Sequence, residues 1–244
     1  MLFRSRLDGL TKRYRDVVAV DRLTLDVESG ELIAVVGPTG CGKTTLLRLI
    51  AGLTAPTEGS VLFDGEAVDR LPAGERRVRM VFQDYALYPH LKVFTDRGYS
   101  NLGFPLNLRR TKPGPLRRIV DGIAARIGIS ERLYPRRPGQ LSEGEKQRVA
   151  FGRAVALPPR ILLLDEPFSN LDPISRTTAR KELRTRHDED RITTIYVTHN
   201  LEDAFVVADR IAVMDEGRIV QVGTPDEIRE RPANELVRAL IESR

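Results

Sequence analysis

The sequence has one cysteine, no tryptophan and no long apolar run. The single thiol, Cys41, excludes an internal disulfide and fits a reducing compartment. No apolar stretch approaches the roughly 20 residues that cross a bilayer. Residues 1–10 alternate arginine and aspartate with apolar side chains, which is unlike a signal peptide. Because hydrophobic residues make up 41% and charged residues 30% of the chain, we expect an ordinary globular protein that stays in the cytosol.

Positive charge exceeds negative charge only slightly. The 39 Lys and Arg residues and 34 Asp and Glu residues give a formal net charge of +5. A basic balance can indicate a nucleic-acid or anionic-lipid partner. The basic residues are spread along the chain in short clusters such as Arg109-Arg110 and Arg136-Arg137, as on a solvated surface. We therefore expect no nucleic-acid partner.

Strand-like segments recur near both ends of the chain. Lys12-Arg13 and Ser29-Gly30 are expected to separate the first ones, and a polar helix is expected at about 173–186 between two later ones. Alternation of strands and helices predicts a largely parallel sheet covered on both faces. The expected strands are 2–10, 17–27, 31–36, 161–164, 193–197, 211–214 and 218–222.

The middle of the chain, roughly residues 88–157, lacks strong strand signals. It carries helical patterns at 116–127 and 144–156 and is punctuated by prolines. We predict that 88–157 is a helical subdomain inserted into an α/β core and β subdomain, which are formed by 1–87 and 158–244.

A glycine-rich loop follows a short β-branched run and precedes leucines at helical spacing. Residues 37–44 read GPTGCGKT, which fits the phosphate-loop pattern G-x-x-x-x-G-K-[ST]. Backbone N–H groups of such a loop turn inward around phosphate oxygens at the positive end of the helix. Lys43 then neutralises the β- and γ-phosphates, and the Thr44 hydroxyl ligates Mg²⁺. The strand–loop–helix context makes an ordinary glycine turn a poor alternative.

An apolar strand at 161–164 ends in two acids, Asp165 and Glu166. Ligands of open α/β folds bind at the carboxyl ends of the strands. We expect Asp165 to hold Mg²⁺, directly or through water, and Glu166 to orient or deprotonate the attacking water. Strands that end in acids are common, so this pattern depends on the phosphate loop for its meaning.

These two sites do not separate a kinase, a GTPase and a transport ATPase, but four further segments do. They are VFQD at 81–84, LSEGE at 141–145, SNLD at 169–172 and ITTIYVTH at 192–199. In these motifs and their order, the chain resembles the ABC ATPases over its whole length. VFQDYALYPH at 81–90 and QVGTP at 221–225 resemble the ATPases of binding-protein-dependent importers for sugars, polyamines, iron or oxyanions.

The resemblance implies roles for residues outside the phosphate loop. Adenine stacks on Tyr14, and the switch histidine His199 contacts the γ-phosphate. Gln83 senses Mg²⁺ and the membrane subunit, and Ser142 and Gly144 belong to the signature motif. The implied nucleotide-binding set is Tyr14, Gly37, Pro38, Thr39, Gly40, Cys41, Gly42, Lys43, Thr44, Thr45, Gln83, Ser142 and Gly144. The catalytic set is Lys43, Gln83, Glu166 and His199, and the metal set is Thr44, Gln83 and Asp165.

The resemblance also implies a fold, cofactors and partners. The fold is α/β, with a RecA-like P-loop NTPase core, a largely parallel sheet, an antiparallel β subdomain and the helical insertion. The cofactors are ATP and Mg²⁺. Two copies meet head to tail as a homodimer, so that Ser142 of one closes on ATP held by Lys43 of the other. Further partners are transmembrane permease subunits and, through them, a solute-binding protein, at the cytoplasmic face of the membrane.

Import is the favoured function, and three alternatives stand beside it. An exporter uses the same ATPase, whereas soluble ABC proteins of DNA repair or translation usually carry two ATPase domains or a long coiled coil. A P-loop kinase is excluded by the signature and switch-histidine segments. The transported solute is not encoded in this chain, because specificity resides in other subunits.

Two local hypotheses concern single side chains. Cys41 lies in the phosphate loop beside Lys43, which predicts a lowered thiol pKa and high reactivity. The signature usually begins Leu-Ser-Gly-Gly, and Glu143 replaces the first of these glycines. Glu143 is expected either to repel the partner's γ-phosphate or to point to solvent or pair with an arginine such as Arg148.

Overall fold

A computed structural model describes residues 4–242. The chain divides into two compact units, the first of which comprises Met1–Val78, Arg160–Glu166 and Arg180–Arg244, and the second Arg79–Pro159 and Pro167–Ala179. Residues 1–3 and 243–244 lie outside the described part, and with them the start of the strand expected at 2–10. Within 4–242, no helix is both long enough and apolar enough to cross a membrane.

Strands and helices alternate along most of the chain. The strands are β1 (Ser5–Tyr14), β2 (Val17–Val27), β3 (Leu32–Val36), β4 (Glu58–Phe63), β5 (Glu66–Ala67), β6 (Val78–Val81), β7 (Ile161–Asp165), β8 (Thr193–Thr198), β9 (Arg210–Asp215) and β10 (Arg218–Gly223). The helices are α1 (Lys43–Ala51), α2 (Phe104–Leu108), α3 (Pro113–Arg126), α4 (Glu143–Val155), α5 (Pro173–Asp190), α6 (Leu201–Val207), α7 (Pro225–Glu230) and α8 (Glu235–Glu242).

The first sheet is antiparallel, with strand order β2-β1-β4-β5. It confirms the expected antiparallel β subdomain. The expected break at Lys12-Arg13 is wrong, because both residues lie within β1 and pair with Val20 and Val18 of β2. The turn lies at 15–16. Long basic side chains are tolerated here because this end of β1 is partly exposed to solvent.

The second sheet has strand order β10-β9-β3-β8-β7-β6, and the first unit ends at the first residue of β6. β3 runs parallel to both β8 and β9, and β7 runs parallel to β8, which confirms the largely parallel sheet. Every residue of β3, β7 and β8 is buried, as continuous apolar strands covered on both faces require. The carboxyl ends of these three strands meet at one edge of the sheet.

The second unit is built around helices α2, α3 and α4. Its apolar core includes residues that are fully buried: Val93, Leu102, Val120 and Val149. Residues 82–159, all of which the structure describes, contain no strand. The helical patterns at 116–127 and 144–156 are thus confirmed as α3 and α4, whereas the subdomain limits at 88 and 157 stay a prediction.

Candidate nucleotide-binding and catalytic site

The phosphate loop connects β3 to α1 and depends on Gly42, which precedes the helix with φ of 108°. A Cβ atom on this residue would lie 2.1 Å from the carbonyl oxygen of Ala19 in β2, so only glycine fits. The first helical hydrogen bond runs from the Leu46 amide to the Gly42 carbonyl. The amides of Lys43, Thr44 and Thr45 therefore have no partner within the helix, and a helix N-terminus of this kind is a site where anions bind.

Lys43 is folded against the loop that precedes it. Its Nζ donates hydrogen bonds to the carbonyls of Gly37 at 2.8 Å and Pro38 at 2.9 Å. The side chain is buried, which places a positive charge directly beneath the loop. Thr39 and Gly40, at the tip of the loop, are exposed.

Cys41 is buried, and its Sγ lies 3.8 Å from Lys43 Nζ. Burial raises the pKa of the Cys41 thiol, and the charge of Lys43 only partly opposes this. The expectation of a lowered pKa is therefore wrong. The cost of burying a thiolate outweighs its attraction to the neighbouring ammonium group.

The Thr44 hydroxyl donates a hydrogen bond of 3.2 Å to Asp165 Oδ1. Asp165 is the buried last residue of β7, so the sheet brings together two oxygen groups that are 121 residues apart. Burial raises the pKa of Asp165, while the hydrogen bond from Thr44 lowers it. Hydroxyl and carboxylate oxygens are the protein ligands that Mg²⁺ prefers, so this pair fits a magnesium site.

Glu166 and His199 extend from the ends of neighbouring strands β7 and β8. Glu166 has φ of 45°, and its amide donates to the Val197 carbonyl at 3.0 Å. Its Oε2 lies 2.9 Å from His199 Nδ1. The Glu166 side chain is 19% exposed and that of His199 50%, so water reaches this pair. A carboxylate so placed can accept a proton from water or orient it.

Tyr14 ends β1 and is 44% exposed. Lys12 Nζ lies 5.0 Å from the centre of its ring. The structure thus places an accessible aromatic side chain in the first unit, as stacking on a base requires.

Ser142 and Gly144 belong to the second unit, at the start of α4. The Ser142 hydroxyl accepts from the Glu145 amide at 3.3 Å, and Glu145 Oε2 accepts from the Ser142 amide at 2.8 Å. This capping box fixes the first turn of the helix. Glu143 forms a 2.6 Å salt bridge with Lys146, a partner that sequence reasoning missed although the i,i+3 spacing signals it.

Gln83 also lies in the second unit, in a loop with an uncommon backbone. Two consecutive residues, Tyr85 and Ala86, have φ of 62° and 45°. Arg153 of α4 donates to both of their carbonyls, at 2.9 and 2.7 Å. Asn170 donates to the Gln83 carbonyl at 3.1 Å, which ties the loop to the SNLD segment. Sequence reasoning missed Arg153, because no local pattern signals a contact with a loop 67 residues earlier.

Curated relatives match almost the whole of this chain. The spermidine/putrescine import ATP-binding protein PotA of Treponema pallidum is 45% identical over 96% of this chain and 60% of its own length. The sulfate/thiosulfate import ATP-binding protein CysA of Bordetella parapertussis is 46% identical over 94% of this chain and 64% of its own length. The chain thus spans about 60% of the length of the curated relatives it matches.

Solved structures match the fold. The structure of cbiO1 from Clostridium perfringens, part of the ABC transporter complex cbiONQ, has a TM-score of 0.83 and 30% identity over 94% of this chain and 91% of that chain. The dimeric structure of MJ0796, a bacterial ABC transporter cassette, has a TM-score of 0.79 and 29% identity over 91% of this chain and 98% of that chain. These likenesses confirm the predicted α/β P-loop fold. The sequence profile of the ABC transporter family matches residues 20–169, and the chain belongs to this family.

Proposed function

We propose that this chain binds and hydrolyses ATP, and that head-to-tail closure of two copies energises solute import across a membrane. The observation that carries the proposal is the meeting of three groups at the carboxyl ends of β3, β7 and β8. They are the phosphate loop with Lys43, the Thr44–Asp165 pair and the Glu166–His199 pair. Together they provide an anion site, a cation site and a proton acceptor in one unit.

The phosphate loop accounts for nucleotide binding. The amides at the start of α1 receive the phosphate oxygens, Lys43 turns from the Gly37 and Pro38 carbonyls to the phosphates, and Tyr14 stacks on the adenine. Thr44 and Asp165 would hold Mg²⁺, and Gln83 is a further ligand that the resemblance to the family implies. When bound, the ion neutralises charge on the phosphate oxygens.

Glu166 and His199 account for hydrolysis. The Glu166 carboxylate orients the attacking water and accepts its proton, from a residue with left-handed backbone directly after β7. His199 faces the same carboxylate at 2.9 Å. The resemblance to the family implies that it also contacts the γ-phosphate. The acceptor and the phosphate contact thus belong to adjacent, paired strands.

The partners follow from the incomplete site. Ser142 and Gly144 at the start of α4 present amides and a helix N-terminus, which would close on ATP held by a second copy. MJ0796 is dimeric in its solved structure, also in a post-hydrolysis state bound to ADP and Pi. The relatives named for polyamine and sulfate import support membrane permease subunits as partners. A solute-binding protein as a further partner and a place at the cytoplasmic face of the membrane are what the resemblance to the family implies.

Two substitutions test the proposal at separate steps. Lys43→Ala should weaken ATP binding, because it removes the counter-charge of the phosphates. Glu166→Gln should leave ATP binding intact, lower kcat by about 100-fold or more and trap an ATP-bound dimer, since the amide cannot accept a proton. Glu230→Gln, at the exposed end of α7, serves as the control. Hydrolysis by Glu166→Gln at the rate of the unsubstituted protein would refute the role of Glu166.

A further inference from the structure

A buried charged cluster lies beneath the turn that carries His199. Asp203, in the first turn of α6, forms a salt bridge through Oδ1 with Arg180 of α5. Its Oδ2 accepts a 3.0 Å hydrogen bond from the hydroxyl of Tyr196 in β8. The side chains of Arg180 and Asp203 are 12% and 4% exposed, and Tyr196 is fully buried. All three residues belong to the first unit.

Both neighbours of His199 are hydrogen-bonded to Asp203. The Thr198 hydroxyl lies 3.5 Å from Asp203 Oδ2 and accepts from the Asn200 amide at 3.0 Å. The Asn200 side chain in turn accepts from the Asp203 amide at 3.2 Å, as the cap of α6. The turn 198–200 is thus tied to Asp203 at both ends, to its carboxylate through Thr198 and to its backbone amide through Asn200, and His199 is the residue in its middle that points towards Glu166.

Stability alone gives no reason for such a cluster. Burying an ion pair costs desolvation energy, and an apolar cluster of similar volume is often as stable or more so. Burial, and then the Asp203 carboxylate, raise the pKa of Tyr196, so its hydroxyl stays protonated and donates. The directional contacts of the cluster instead fix one geometry of the turn.

We propose that Asp203 is a positioning residue for His199. Held by Arg180 and Tyr196, it sets the turn 198–200 so that His199 Nδ1 meets Glu166 Oε2. Asp203 touches His199 only through Thr198 and Asn200, so it acts on turnover through them. The inference rests on the proposed function, in which Glu166 and His199 take part in hydrolysis.

The matched variants differ in what they remove. Tyr196→Phe removes one hydrogen bond to Asp203 and leaves the salt bridge and the packing in place. Asp203→Asn removes the charge at nearly constant shape, and Asp203→Glu restores a carboxylate. We expect Tyr196→Phe and Asp203→Asn to lower kcat about 5-fold and 10-fold or more, with KM for ATP changed less than about twofold. Asp203→Glu should recover part of the loss.

A direct readout comes from the imidazole signals, because the chain has three histidines. In ¹⁵N-histidine-labelled protein, Tyr196→Phe and Asp203→Asn should shift or broaden the His199 signal, while His90 in the second unit stays unchanged. An unchanged His199 signal in folded Tyr196→Phe protein would overturn the inference. So would a loss of activity that appears only in KM or follows only the loss of thermal stability.

Combination with His199→Ala separates this inference from the proposed function. If Asp203 acts through His199, Asp203→Asn should lower kcat no further in the His199→Ala background. A full additional loss would overturn the positioning role and leave the function intact. If His199→Ala alone leaves kcat unchanged, the proposed role of His199 fails, and the inference fails with it.

Discussion

Two glycines of the phosphate loop have left-handed backbone but differ in the space around them. Gly42 has φ of 108° and Gly40 has φ of 86°. A Cβ atom on Gly42 would lie 2.1 Å from the Ala19 carbonyl oxygen, whereas one on Gly40 would meet nothing within 4 Å. Comparing Gly42→Ala with Gly40→Ala therefore isolates the effect of packing against β2 from the effect of backbone conformation.

The magnitudes follow from these distances. A left-handed conformation costs alanine about 1–2 kcal/mol. Alanine also lowers the entropy of the unfolded chain, which stabilises the folded protein by about 0.4–1 kcal/mol. Gly40→Ala should thus lower the free energy of unfolding by about 1 kcal/mol. At Gly42 the loop or β2 must also move by about 1 Å, and overpacking of this kind adds about 1–3 kcal/mol. Gly42→Ala should therefore cost about 2–4 kcal/mol.

Urea unfolding followed by far-UV circular dichroism measures both variants, since the chain has no tryptophan. ATP binding should weaken more in Gly42→Ala, because the shift displaces the amides at the start of α1. Equal costs for the two substitutions, or an undisturbed ATP affinity in folded Gly42→Ala protein, would refute the reasoning from close approach.

Three further predictions follow from single side chains. Cys41 should be alkylated more slowly in the folded protein at pH 7.5 than in the urea-unfolded chain, because it is buried and its pKa is raised; equal rates would contradict this. Burial tends to raise the pKa of Asp209, but the His187 ring 3.4 Å away and hydrogen bonds from the Leu32 amide and Arg184 outweigh it, and the net pKa is lowered. The unfolded state then binds more protons, so this stabilisation is present above about pH 4 and is lost as the pH falls further. Asp209→Asn should therefore make the urea midpoint depend less on pH between about pH 5 and 3. An unchanged pH dependence would count against this. Arg153→Met should lower the free energy of unfolding by about 2 kcal/mol or more, because the carbonyls of Tyr85 and Ala86 both lose a charged donor; thermal melts should show it, with the exposed Arg118→Met on α3 as the control.

Local patterns predicted the part of the site that is built from contiguous residues. The phosphate loop was placed between a buried strand and a helix, because an apolar run precedes it and leucines at helical spacing follow it. Asp165 and Glu166 were placed at a strand end, because an apolar run precedes them. The meeting of Thr44 with Asp165 follows from the parallel sheet, since neighbouring strands end at one edge. These features depend on periodicity and chain order, which a single sequence contains.

Features that depend on distant packing were not predictable in this way. The Arg180–Asp203–Tyr196 cluster joins residues of three separate elements, α5, α6 and β8, that meet only in the folded protein. The raised pKa of Cys41 depends on how deeply the loop is buried, and a motif carries no information about depth. The prediction of a strand break at 12–13 was wrong because charged residues also occur within strands that are exposed to solvent, as this end of β1 is.

The left-handed backbone at Glu166 lowers the stability of the fold at a residue whose carboxylate the proposed reaction needs. For a residue with a side chain, φ near 45° costs about 1–2 kcal/mol of folding free energy, and substitution by glycine would relieve this strain. Glycine, however, has no carboxylate to face His199. Selection of a variant library for heat resistance alone should therefore enrich glycine at position 166 and discard activity, whereas selection for turnover should retain the strained acid. Position 166 is thus a poor choice for stabilising substitutions, and the residue that a selection retains there shows whether activity was selected.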